Sequence, residues 1–119
     1  VNTRRFLFLL RRASQGDVID GELLDQILTL AAFDQAITVL FVDEGVYRLT
    51  SEMDTAVSTL ESGGLLALLA FYDIDSVWVE AESLVERGIC LSTDQPCLKI
   101  LPREAVAGML GGHDVILGD

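Results

Sequence analysis

The 119 residues carry 19 acidic and 8 basic side chains, a net charge of −11 with Lys99 as the only lysine, which argues against direct DNA or RNA binding because such binding rests on cations set against phosphates. Half of the residues are apolar and the mean hydropathy is +0.43, yet no apolar run approaches the roughly 20 residues that span a bilayer. The expectation is therefore one domain over 1–119, able to bury roughly two thirds of its unfolded surface, with the apolar surplus either on faces covered by partner subunits or in an unusually apolar parallel sheet.

Arg4, Arg5, Arg11 and Arg12 flank Phe6–Leu10 (FLFLL), an apolar stretch too short for a signal-peptide core; with no targeting segment legible, the cytoplasm is the expected location. The run itself predicts a strand buried on both faces, since nothing in it alternates with polar residues. Leu23, Leu24, Ile27, Leu28 and Ala31 recur at helical spacing between about Asp20 and Phe33. Ile37–Val42 (ITVLFV) predicts a second strand, closed by Asp43-Glu44-Gly45.

Asp54–Tyr72 has helical composition interrupted by Gly63-Gly64, so a weak first piece and a better helix over Leu65–Phe71 are expected. Val77–Val79 forms the core of a third strand. A short helix follows over Glu82–Arg87, with Gly88 placed to end it. Leu98–Leu101 is the fourth strand, and Pro102 suits the first position of a helix running to about Leu110. Val115–Leu117 is the fifth. Short apolar strands alternating with helices define an α/β class: a three-layer α/β/α domain with a five-stranded, mainly parallel sheet.

The common chemical signatures are absent: there is no G-x-G-x-x-G, G-x-x-x-x-G-K-[ST] or G-x-S-x-G. Arg11 and Arg12 follow the first strand, where they could hold an anion or simply form a solvated basic loop or a salt bridge. His113, the only histidine, precedes the last strand, away from the ligand edge of such a sheet, and reads as structural; alone it defines no metal site. Cys90 and Cys97 are spaced for neither a C-x-x-C redox pair nor zinc. Cys90 follows a helix C-terminus, which disfavours a thiolate, and Cys97 sits at the mouth of a strand. Both read as structural thiols. Glu80 ends the third strand, at the edge where open α/β sheets place their ligands. As a general base it needs a positioned partner, and Glu82 is expected to point elsewhere. The residues alone assign no cofactor, metal or mechanism.

Three blocks carry a resemblance: FDQAITVLFVDEGVYRL from Phe33 to Leu49; Tyr72-Asp73-Ile74, Trp78-Val79, Ser83-Leu84 and Glu86-Arg87-Gly88; and the closing Asp114-Val115-Ile116-Leu117. Together they resemble the TusC/DsrF branch of the DsrE/F/H-like sulfur-relay proteins over nearly the whole chain. The resemblance implies a flavodoxin-like fold and a two-fold heterohexamer with TusB/DsrH-like and TusD/DsrE-like subunits. Such assemblies carry persulfide sulfur, which passes to a TusE/DsrC-like acceptor for wobble-uridine 2-thiolation of tRNA, or serves sulfur oxidation in the DsrF setting. It also implies that Glu80 stands where the TusD/DsrE subunit keeps its sulfur-carrying cysteine, so the expected role is that of a non-catalytic subunit. The rival reading puts persulfide on Cys90 or Cys97. A weaker one has Arg11 or Arg12 holding a small anionic ligand.

Overall fold

The computed structural model describes residues 4–12, 17–33, 35–47, 69, 73–74, 76–89 and 98–118. Strand β1 (Arg5–Leu10) leads into helix α1 (Asp17–Ala32), strand β2 (Ala36–Phe41) and a 3-10 turn (Asp43–Val46). Strand β3 (Ser76–Glu80) runs directly into helix α2 (Ala81–Glu86); strand β4 (Leu98–Leu101), helix α3 (Arg103–Gly111) and strand β5 (Val115–Gly118) complete the order. Each strand falls on a run expected from the sequence. The expectation for Asp54–Tyr72 lies outside the described residues apart from Leu69, which is buried in the core.

The sheet has the order β4-β3-β2-β1-β5, and every pairing is parallel. From β1 to β4 the chain steps one place at a time in one direction, then returns across the sheet to β5. Right-handed crossovers place the helices of same-direction steps on one face and the helix of the return step on the other. Packing agrees. Leu23, Ile27 and Leu30 of α1 and Leu84 of α2 join Phe8, Val39, Phe41, Val77 and Val79 in one cluster. Val106, Met109 and Leu110 of α3 cover Leu7, Leu40, Val42 and Leu101 on the other. Adjacent strand residues thus go to opposite faces, and both faces are apolar, which explains why these strands read as unbroken apolar runs. The result is a three-layer α/β/α domain of flavodoxin-like architecture.

Two helix ends show how local sequence sets the boundaries. Gly88 lies at φ +67°, Gly88 N–H donates to Val85 O at 3.1 Å and Ile89 N–H to Leu84 O at 2.9 Å. That double closure is the Schellman arrangement, and the left-handed residue it needs is the glycine. Pro102, expected as the first helical residue of α3, is instead its extended N-cap, at φ −75° and ψ 155°. The first backbone N–H of the helix then belongs to Arg103, and an acceptor from another element takes it up.

Order also sets where a ligand crevice belongs. β3 sends its helix to one face and its neighbour β4 sends α3 to the other, so the connections part beyond the carboxyl ends of β3 and β4, at the ligand edge of the sheet, whereas the strand order itself reverses between β1 and β5.

Candidate functional site

Glu80 is the last residue of β3 and lies where these connections part, buried to 5% exposure. A carboxylate there must be hydrogen-bonded by the protein itself. Ser83 Oγ donates to Glu80 Oε1, and Arg103 Nη2, reaching over from the start of α3, donates to the same oxygen at 3.1 Å. Ser83, wholly buried, in turn accepts the Asp43 N–H at 2.8 Å. Three chain segments that follow β2, β3 and β4 are thereby tied at one point.

The 3-10 turn after β2 reaches this position through two backbone features. Asp43 takes a left-handed conformation at φ +50°, which a short polar side chain tolerates better than most. Gly45 then passes so close to the end of β1 that a Cβ there would fall 1.9 Å from Leu10 O. Only a glycine permits that approach.

Arg103 is the centre of the charge arrangement. Beyond Glu80 it holds Glu86 of α2 in a two-bonded fork, Nη1 to Oε2 at 3.0 Å and Nη2 to Oε1 at 2.9 Å. Its own backbone N–H donates to Glu82 Oε1 at 2.7 Å, which supplies the acceptor that the N-cap proline lacks. The hydrogen bonds from Arg103 hold the Glu86 carboxyl below its usual range, and the two glutamates bind the Arg103 proton more firmly than usual. Glu82 and Glu80 converge on one residue 20-odd positions away, whereas the sequence suggested only that Glu82 points away from Glu80.

Chemically this is a clasp of mutually satisfied groups. Among the described residues, no buried side-chain nitrogen or oxygen lacks a hydrogen-bond partner. Arg11 and Arg12 follow β1 at the same edge of the sheet; both are exposed and both are engaged with their surroundings. His113 sits at the opposite, amino-terminal edge of the strands. Cys90 and Cys97 lie outside the described residues. Arg103 is not singled out by the sequence, and Ser83 enters there only within the block that carries the resemblance. The signal for Arg103 was available: a cation opening the helix that follows a strand's carboxyl end, at the ligand edge of a parallel sheet.

No family model matches the chain. It is 36% identical over 87 residues to the intracellular sulfur oxidation protein DsrF of Allochromatium vinosum, a match covering 72% of this chain and 64% of that protein. The chain thus spans less than two thirds of that relative's length. An all-parallel five-stranded sheet between helix layers defines the chain as an α/β/α protein of the flavodoxin-like class. Within that class it belongs to the DsrF/TusC branch of the DsrE/F-like family, as the sequence blocks around Val39–Leu49 and Tyr72–Gly88 suggested.

Proposed function

We propose that the chain is a non-catalytic subunit of a sulfur-relay assembly, completing the complex in which a partner's cysteine carries persulfide sulfur. One observation carries this reading. The end of β3, at the sheet's ligand edge, holds a buried carboxylate whose Oε1 is shared by Ser83 and Arg103. A carboxylate cannot carry a persulfide, and a group tied to three neighbouring segments serves to shape a crevice. The −11 net charge favours protein partners over tRNA as direct contacts. In this reading the partners are TusB/DsrH-like and TusD/DsrE-like subunits, in a two-fold heterohexamer, and a TusE/DsrC-like protein receives the sulfur.

The destination of that sulfur follows from the partners. Wobble-uridine 2-thiolation is the outcome in a TusBCD-type assembly. The Allochromatium relative, an intracellular sulfur oxidation protein, supports the other branch, a DsrEFH-type sulfur-oxidation complex.

The test is co-expression with the neighbouring subunits, followed by the mass of the purified complex and a persulfide-transfer assay. A stable hexamer with two copies of this chain is expected. Transfer persists in Cys90→Ser and Cys97→Ser and is lost when the partner's cysteine is replaced. A chain that stays monomeric beside those subunits, or one whose own cysteine variants abolish transfer, overturns the proposal and moves the chemistry to Cys90 or Cys97.

A further inference from the structure

A second polar arrangement, unconnected with the crevice, lies at the amino-terminal end of the strands on the face covered by α3. Thr38 of β2 and Ser76 of β3 are register partners, and their hydroxyl oxygens are 3.1 Å apart. The Trp78 indole Nε1–H donates to Ser76 Oγ at 3.2 Å. From the turn after α3, His113 brings Nε2 to 2.9 Å from Thr38 Oγ1 and Nδ1 to 2.7 Å from Met109 O. Thr38 is buried; Ser76, Trp78 and His113 are half-buried.

Donor and acceptor chemistry fixes the direction of every bond. A carbonyl oxygen only accepts, so Nδ1 carries a proton. In the neutral ring Nε2 then only accepts, so Thr38 donates to it. Thr38 Oγ1 receives the Ser76 proton, and Ser76 Oγ receives that of the indole, which can only donate. The chain runs one way, from Trp78 through Ser76 and Thr38 to His113.

Adding a proton to the imidazole makes Nε2 a donor. Thr38 must then accept from His113 and turn its own proton towards Ser76. Ser76, already accepting from the indole, directs its proton out of the chain. We propose that His113 is a proton-sensing residue whose ionisation reverses this hydroxyl chain and is felt at Trp78, across β2 and β3. The effect reaches the sheet edge, because the Lys99 ammonium on β4 lies 5.3 Å from the Trp78 ring centroid.

Among the described residues, the charged groups near the chain of hydroxyls belong to the elements packed beside it. Asp114, next to His113, accepts the Arg5 N–H through Oδ2 at 2.8 Å, and its own N–H donates to Arg5 O at 2.8 Å. On β1 the charged groups are Arg5 and, just before it, Arg4, whose backbone N–H donates to the neutral Gln35 side chain. The last turn of α3 offers only Met109, Leu110 and glycine. Carboxylates, lysine and arginine ordinarily titrate outside pH 5 to 8, where imidazole changes charge.

The experiment is an NMR titration of the full 119-residue chain between about pH 5 and 8. The single histidine and single tryptophan make both signals unambiguous. The Trp78 indole N–H resonance is expected to move with the midpoint of the His113 ring. In Thr38→Val, which keeps the side-chain shape, the imidazole still titrates and the indole loses its pH dependence. Ser76→Ala breaks the same chain one step later and serves if Thr38→Val fails to fold. An indole signal that stays flat while His113 titrates, one that still follows His113 in either variant, or an imidazole that does not titrate in this range overturns the proposal.

Discussion

Gly45 and Gly88 are both required by the backbone, for different reasons that alanine separates. At Gly88 no atom lies within 4 Å of a built Cβ, but φ is +67°. Alanine there meets only the left-handed penalty, about 1–2 kcal/mol. At Gly45 the conformation is ordinary and the space is not, since Leu10 O would lie 1.9 Å from the new carbon. Relief requires β1 or the 3-10 turn to move, so Gly45→Ala is expected to cost about 3 kcal/mol or more. Urea unfolding of the two variants checks the order; a smaller loss at Gly45 than at Gly88 contradicts the close approach. The two differed in legibility as well. Gly88 was readable because a helix-ending glycine has a local signature, whereas Gly45 was readable only as a loop residue, its constraint coming from a strand 35 positions earlier.

At the scale of elements, α2 and α3 are joined chiefly through Arg103, and the link is pH-dependent with a definite sign. Glu86 has a pKa below its ordinary 4.5, mainly because Arg103 hydrogen-bonds its ionised form. A depressed carboxylate contributes stability that is complete above the unfolded value and is lost as pH falls through the lower folded value. The loss attributable to this pair therefore falls below pH 4.5. A carboxyl-carbon NMR titration is expected to place the Glu86 midpoint under 4.5 and to raise it in Arg103→Gln. An unchanged midpoint in that variant removes Arg103 as the cause. Glu86 is half exposed, so solvent screening keeps the contribution modest.

This pairing also marks where sequence reading stopped. Strand positions were legible because burial on both faces leaves apolar runs such as FLFLL and ITVLF, and Glu80 was legible as a carboxylate at a strand's carboxyl end. Its partner Arg103 lies 23 residues away on another helix, and an ion pair between separate elements leaves no local pattern. Thr38 and His113, 75 residues apart, are hidden for the same reason. The placement of Pro102 was off by one position because proline suits an extended N-cap as well as a first helical turn; only the acceptor brought by Glu82 distinguishes them.

For the whole molecule, the return from β4 to β5 makes the two layers unequal. The face of α1 and α2 carries the larger apolar cluster, whereas α3 lies alone among the described helices on the other face and contains no fully buried residue. Val106, Met109 and Leu110 give it a half-buried inner edge. What anchors it most specifically sits at its two ends: Arg103 in the crevice clasp, and Met109 O beneath His113 in the hydroxyl chain. A helix held in this way can open without dissolving the sheet, because few apolar contacts are lost when it does. Backbone amides of α3 should therefore exchange with deuterium through local opening, well ahead of those in β1 and β2, and Arg103→Gln should speed exchange in the helix while leaving the central strands unchanged. Equal protection of α3 and the central strands would mean that the return crossover unfolds only with the entire domain.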